Sequence, residues 1–590
     1  GQWLTRNPRD PRREFVMLAR ADTLEAEDPE EAAEVYATLS RQFTLRDIRP
    51  AASERLSRLV RQGVAIPETD PIEVARDTAE SLLGVGLGQE AWEQYRHLAD
   101  SHNVDSATTR WLDDEASRFY AGAREYEAYA ARLLESYSLN PESETAWRRF
   151  QALFRAGHFL EAAKWGEVSA ISHSDRRRWN RSRDQLAMAW QQAGEYRMAR
   201  KHWDRVAQRR DWRGTEARWM AAFCSYRAGE YEDALTRLDP LVSSGHYAER
   251  ARYFRAKTRR LHGDAEGAAS DEAILLRNPD SYYSLLLLSR DESASLFQPN
   301  HSRSAPASIE GNTFHDQTQA LSALERIASR HGRRHPNLLE AYDLATVGLY
   351  ELARPLVEEA YFRARRTGSP SVRQTDWRLV TQASRAWAAS SRLAPALERE
   401  GQPPLERADA QRLAYPPAYG EQVTPLATSQ GVDPLLSLSV MRQESFYYSQ
   451  ALSHAGAMGL MQIMPLTGAR IATALGETGF SPEELKNPEL NIRYGNWYLG
   501  RLMERFEGCW PLAVASYNGG PMWVSTWLGA WQPGMEIDDF VEQIPFRETR
   551  DYVKRVGEHY AVYSRLYKTP RASPEVTGWN GGDHPEIVDF

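Results

Sequence analysis

The sequence predicts an all-α protein, a long run of helical hairpins followed by a C-terminal α domain of different character. Three observations carry that expectation. Gly157, Gly194, Gly229 and Gly263 stand 37, 35 and 34 residues apart, as the turns of a repeat would. The text before about residue 410 is rich in Glu, Arg and Ala at helical spacing, and afterwards Gly, Met and short polar motifs take over. A chain of 590 residues, at roughly 150 per domain, divides into several units unless much of it is a repeat array.

Residues 1 to about 140 read as diverged hairpins, as in Pro29-Glu30-Glu31-Ala32-Ala33-Glu34-Val35-Tyr36. From about 140 to 280 a Gly, an aromatic two residues on and an Ala five residues on recur at Gly157/Phe159/Ala162, Gly194/Tyr196/Ala199 and Gly229/Tyr231/Ala234. Gly263/Ala268 continues the series without the aromatic, and Gly348/Tyr350/Ala353 is a further copy. Glycine closes the turn after the first helix, the aromatic seats the second helix and alanine lets the two axes approach. The pattern resembles the tetratricopeptide repeat, whose period is about 34 residues. Residues 1–297 are therefore expected to form the first helical block. Breakers from Gln298 to Asn312 predict a linker over 298–314, ahead of a second helical block over 315–410. Pro403-Pro404 and Pro416-Pro417 punctuate the entry to a domain over 411–570, and Pro, Gly and Asp mark 571–590 as an irregular extension.

Composition narrows the function classes. Lys+Arg 73 against Asp+Glu 81 leaves a net charge of −8, so the basic footprint of a nucleic-acid binder is missing. No run approaches the roughly 18 to 20 apolar residues of a membrane span. Cys224 and Cys509 are too few for a disulfide scaffold or a four-thiolate site, and with no His cluster or calcium loop, neither metal nor cofactor is expected. Tryptophan, at 18, outnumbers phenylalanine, at 17, and its flat face suits carbohydrate stacking as well as interhelical packing. The opening Gly1-Gln2-Trp3 reads as a processed start with any targeting segment removed.

The chemistry is written after residue 430. Asp433 and Pro434 are a helix start, and the run to Ser445 is apolar nearly all round, which predicts a buried helix with Glu444 at its end. Partial desolvation there raises a carboxyl from about 4.3 and keeps a proton available near neutral pH, as a general acid requires. A surface Glu at a helix terminus is the plainer reading. Against it stands Ser453-His454-Ala455-Gly456-Ala457-Met458-Gly459-Leu460-Met461-Gln462-Ile463-Met464-Pro465, which has Gly and Met where a surface helix would carry charge. Tyr517-Asn518-Gly519-Gly520 and Ile544-Pro545-Phe546-Arg547-Glu548-Thr549-Arg550-Asp551-Tyr552-Val553 then follow at domain-scale spacing.

This series, Glu-Ser, Gly-Leu-Met-Gln, Tyr-Asn-Gly-Gly and Ile-Pro-Phe-Arg-Glu-Thr-Arg-Asp-Tyr-Val, resembles the soluble lytic transglycosylases, bacterial enzymes that cleave peptidoglycan. The match covers about 415–568 and departs at Ser516 and Gly519, where many members have Ala-Tyr-Asn-Ala-Gly. The resemblance implies a lysozyme-like α domain on a ring-shaped helical superhelix. It implies Glu444 as the single catalytic acid and later base, with Ser453 and Gln462 contacting the N-acetyl and hydroxyl groups of the glycan. Met464 would line the sugar subsites, although Met461 and Met464 also suit plain core packing. Tyr517 would lie near the acid with Asn518 beside it, and Glu548 would be a polar cleft residue. Peptidoglycan strands are the implied substrate, other cell-wall enzymes are possible partners of the repeats, and the periplasm of a Gram-negative bacterium is the implied compartment.

Hydrolytic glycosidases generally use two carboxylates. None follows Glu444 before Gln462, and Glu477, Glu483, Glu484 and Glu489 fall in polar stretches. A lone acid can complete the reaction when the substrate supplies the nucleophile, and the resemblance implies that the C6 hydroxyl of the muramic residue does so by closing a 1,6-anhydro ring. A goose-type lysozyme-like hydrolase and a helical-repeat scaffold with a degenerate glycan-binding domain remain open alternatives. At about 155 residues the last domain is long enough to fold around its own core, so the helical blocks are not expected to be needed for chemistry.

Overall fold

The computed structural model describes residues 13–41, 48–64, 71–84, 88–101, 106–172, 176–291, 317–333, 335–367, 374–393, 407–532 and 534–567. The linker expected at 298–314 and the extension at 571–590 lie outside the described residues. Among the described residues the protein is helical throughout, and its extended pairing is confined to two isolated antiparallel bridges, Leu452 with Met458 and Met458 with Ile463. No described helix is long and apolar enough to cross a membrane. The chain divides into two compact units, Gly1–Ser182 and Arg183–Phe590.

In the first unit, helices Arg13–Leu24, Pro29–Arg41 and Ile48–Arg61 pack around Ala21, Ala32, Tyr36 and Ala52. Helices Pro71–Gly84, Gly88–Ala99 and Ser106–Gly122 enclose an aromatic core of Trp92, Tyr95 and Phe119. Tyr95 meets its buried polar requirement by donating to the Leu112 carbonyl at 2.7 Å.

The repeat register holds residue by residue. Gly157, Gly194, Gly229, Gly263 and Gly348 all have φ between 73° and 91°, the left-handed conformation that stops one helix and redirects the chain into the next. Ala162, Ala199, Ala234, Ala268 and Ala353 are all fully buried, because any larger side chain there would force the paired helices apart. In the second unit the register reappears as ion pairs between successive hairpins, Arg197 with Glu230 at 2.6 Å and Arg237 with Asp204 at 2.6 Å, each 33 residues apart in sequence.

The second unit continues through a helical block with its own core, in which Leu324, Leu338, Val357, Tyr361 and Trp377 meet. The C-terminal domain follows as helices Gly420–Ser429, Pro434–Ser445, Pro465–Ala474, Pro488–Arg505, Trp510–Gly519, Pro521–Leu528, Ile537–Gln543 and Arg547–Tyr567. Its last helix packs on Pro434–Ser445, on Trp510–Gly519 and on Tyr282–Asp291 at the end of the first helical block. Gly557 makes that approach possible, since a Cβ there would lie 2.7 Å from the Tyr282 ring and 3.0 Å from Trp510.

Candidate active site

The helix Pro434–Ser445 begins where the Asp433 carboxylate accepts the Leu435 amide at 2.8 Å, and it is buried up to Arg442. It stops abruptly. Phe446 and Tyr447 both take left-handed backbone, at φ 51° and 65°, which costs a non-glycine residue roughly 1–2 kcal/mol. The fold supports that strain by burying Tyr447 completely and bonding its hydroxyl to Tyr563, which in turn donates to the Pro416 carbonyl at 2.9 Å. Glu444 is left in the last turn, half-buried, with its carboxylate accepting the Tyr552 hydroxyl at 2.6 Å.

Burial and two neighbouring groups set the charge state of Glu444. Burial penalises the anion most, the Tyr552 hydrogen bond opposes burial, and the charge of Glu548 adds to it, so that the carboxyl is raised from 4.5 to about 7. Burial and then the Glu444 charge hold the Tyr552 and Tyr517 hydroxyls well above their ordinary range. Both phenols are therefore donors throughout the neutral range. Glu548 and Tyr552 are four residues apart on the last helix and so share its face.

The loop 451–463 forms a second wall. The Ser445 hydroxyl donates to the Leu460 carbonyl at 2.7 Å, tying the acid's helix to the loop. Asn491, fully buried on helix Pro488–Arg505, accepts the Met461 amide at 2.7 Å and donates to the Met458 and Leu485 carbonyls at 3.0 and 2.7 Å. Gly459, at φ 80°, touches this anchor so closely that a Cβ would lie 2.1 Å from the Leu485 carbonyl oxygen.

The site residues expected from sequence fall into groups. Glu444, Tyr517 and Glu548 come together around the acid through the electrostatic couplings above. Ser453 closes its own turn, its hydroxyl accepting the Ala457 amide at 2.9 Å. Gln462, itself at φ 50°, donates its side-chain amide to the Gly459 and Ala451 carbonyls at 2.8 and 3.3 Å. Both thus brace the loop. Met464 is 41% exposed, whereas Met461 is fully buried against Gly495 and belongs to the core. Asn518 accepts the Thr549 hydroxyl at 2.8 Å, and a Cβ at Gly519 would come within 3.0 Å of that hydroxyl, so the glycine that departs from the common motif leaves room for the contact.

The sequence does not single out Tyr552 or Asn491, which the structure brings to Glu444 and to the loop. Tyr552 lies inside a quoted motif four residues after Glu548, a spacing that signals a shared helical face, whereas nothing local to Asn491 marks it as the loop's anchor. Of the more distant carboxylates, Glu477 is occupied by Arg493 and Tyr494, Glu484 by the Ser481 amide at 2.8 Å, and Glu483 by the Ser481 hydroxyl at 2.9 Å. Among the described residues no three His, Cys, Asp or Glu side chains converge as a metal site would require.

Residues 424–534 match the family described as Transglycosylase SLT domain. The chain is 37% identical over 166 residues to the soluble lytic murein transglycosylase of Escherichia coli K12, and 34% identical over 166 residues to that of Salmonella typhimurium. Each match covers 28% of this chain and 26% of the relative, so the aligned segment spans about a quarter of the length of those curated proteins. An inactive mutant of lytic transglycosylase Slt from Pseudomonas aeruginosa shares the fold at a TM-score of 0.50 and 18% identity, covering 98% of this chain and 90% of that one. Residues 424–534 thus resemble a transglycosylase SLT domain, in an all-α chain whose fold is similar to that of a solved lytic transglycosylase.

Proposed function

We propose that the chain is a murein lytic transglycosylase. It cleaves the β-1,4 bond between N-acetylmuramic acid and N-acetylglucosamine without water and leaves a 1,6-anhydromuramic acid end. One observation carries the reading: Glu444, with its proton held to about pH 7, ends a buried helix inside a transglycosylase SLT domain.

In this reading Glu444 first protonates the glycosidic oxygen as the leaving sugar departs, and the N-acetyl group of the muramic residue stabilises the oxocarbenium-like state. Tyr552 then stabilises the carboxylate it hydrogen-bonds, and that carboxylate removes the proton of the C6 hydroxyl as its oxygen closes onto C1. The acid is thereby restored to its starting form. Tyr517 and Asn518 line the acid's surroundings, Glu548 is the polar cleft residue, Met464 offers an exposed apolar surface to a sugar ring, and Ser453 and Gln462 contact the glycan from the loop. The reacting groups belong to 411–570, and beyond the structural support they give it the helical blocks over 1–297 and 315–410 act on access to it or on other cell-wall enzymes. In this reading the chain works in the periplasm of a Gram-negative bacterium, as expected of a protein similar to the Escherichia coli and Salmonella typhimurium enzymes.

The test is zymography on purified peptidoglycan with mass analysis of the reducing ends. Glu444→Gln keeps the side chain's shape but has no proton to give, so turnover falls by about 10⁴-fold, the upper end for general acid catalysis. Wild-type products carry anhydro ends, one water lighter than those of a hydrolase. Hydrated ends would assign the chain to the lysozyme-like hydrolases, with Glu548 as the second carboxylate. Activity in Glu444→Gln close to wild type would remove Glu444 as the acid.

A further inference from the structure

The helix Arg547–Tyr567 is held on opposite faces. Glu548 and Tyr552 are turned to Glu444, while Arg550 and Lys554 stand roughly 200° and 240° round the axis from Glu548. On that far face the helical repeats supply the partners. Arg550, 2% exposed, pairs with Glu216 of the repeat helix Trp212–Arg227 and donates to the Ile544 carbonyl at 3.0 Å, fixing the turn into the helix. Glu216 also accepts the Tyr247 hydroxyl at 2.5 Å and lies 3.6 Å from Arg250. Lys554 reaches Glu542 at 2.8 Å, and Glu542 is shared with Arg250 of the repeat helix Ala248–His262. At the helix start the Arg547 guanidinium sits 4.2 Å over the ring of Trp212. Burial alone would raise the Glu216 carboxyl, yet Arg550 and then Arg250 bring it to about 2, so Glu216 is an anion at every working pH.

A helix is close to rigid over its first two turns, so a grip at 550 fixes the azimuth at 552. We propose that Glu216, a residue of the helical repeats, is a positioning residue for the catalytic acid. By holding Arg550 it sets the rotation of the last helix and with it the seat of the Tyr552 hydroxyl on Glu444. The proposal rests on the reading of Glu444 as the acid.

The experiment uses the full chain with soluble muroglycan as substrate and measures kcat, KM and the pH profile of kcat. The ionisable groups facing Glu444 are Tyr552 and Glu548 from the last helix and Tyr517 from Trp510–Gly519. The Tyr552 hydrogen bond is the one of these that lowers the acid's pKa. Loosening that bond therefore raises the pKa and moves the alkaline limb of the profile to higher pH. Glu216→Gln is expected to lower kcat on the order of 10- to 100-fold with KM unchanged, and to shift that limb upward. Tyr552→Phe gives the same shift, and adding Glu216→Gln to it gives no more. Glu216→Asp, which keeps the charge, recovers part of the lost kcat. Should Glu216→Gln not fold, Tyr247→Phe removes a single hydrogen bond from Glu216 and is expected to shift the limb less, in the same direction, and only while Tyr552 is present. A lowered melting temperature with an unmoved limb, or a shift that adds to that of Tyr552→Phe, would overturn the positioning role while leaving Glu444 as the acid. Full activity in Glu444→Gln would overturn the underlying reading as well.

Discussion

Glu444 shows how a single side chain is tuned by what surrounds it. Its carboxyl is raised because burial outweighs the one hydrogen bond it accepts, and the same imbalance links catalysis to stability. A group whose folded pKa, about 7, lies above its ordinary 4.5 contributes stability that is fully present below the unfolded value and is lost as pH rises through 7. Between pH 5 and pH 8 this residue alone is expected to withdraw about 1–3 kcal/mol from the fold. The variant Glu444→Gln escapes that loss, so thermal melts should show it gaining on wild type at pH 8 relative to pH 5. An equal difference at the two pH values would mean that the carboxyl is not shifted in the folded protein. The place of Glu444 was legible, because an apolar helix ending in Glu is an unusual local pattern. Its partner was not, because Tyr552 comes from 108 residues further along the chain.

At the scale of elements, glycines mark where the backbone must turn, but their energetic weight depends on what lies beside them. Gly263 and Gly459 share left-handed φ, at 91° and 80°. Space for a Cβ is open at Gly263, whereas at Gly459 it is filled by the Leu485 carbonyl and Asn491. Gly263→Ala is therefore expected to cost only the conformational penalty of about 1–2 kcal/mol. Gly459→Ala should cost more than about 3 kcal/mol, or displace the loop 451–463 and lose activity with it. Equilibrium denaturation of the two variants, with turnover measured alongside, checks the contrast, and equal costs would count against the tight packing at Gly459. The repeat register was readable because Gly and Ala are required by backbone geometry and close approach, which are local demands. The ion pairs that join successive hairpins were not, since surface charges on a helix carry no mark of which neighbour they will face.

At the scale of the whole molecule, the expectation that residues 411–570 suffice for chemistry meets a set of buried contacts with the repeats. Helix Ile537–Gln543 is buried at every residue. Asp538 receives Lys257 at 2.9 Å and the Tyr253 hydroxyl at 2.8 Å, Asp539 receives Arg227 at 2.9 Å, and the Gln543 carbonyl accepts the Gln192 side-chain amide at 2.6 Å. A helix of 7 residues has little stability of its own, so its order depends on this packing. A fragment over 411–567 is accordingly expected to melt well below the intact chain, with weak cooperativity and poor turnover. A fragment over 183–567 retains all of these contacts and should cleave short soluble muroglycans as the full chain does. Calorimetry and turnover on the two fragments decide the matter, and a fragment over 411–567 as stable and active as the longer one would show that the repeats serve access alone.

The sequence by itself determined the helical class, the repeat register, the apolar helix that ends in Glu444 and the motif series that follows it. Each of these is written in nearest-neighbour chemistry: period, turn residues, caps and an apolar run that ends in a carboxylate. Only the tertiary structure decided that Glu444 is met by Tyr552, that Asn491 suspends the loop 451–463, and that the last helix is shared between the C-terminal domain and the repeats. Those are pairings between residues tens to hundreds of positions apart. Burial and charge complementarity select them only after the elements have packed, so a local pattern marks at most a shared helical face, as the spacing of Glu548 and Tyr552 does.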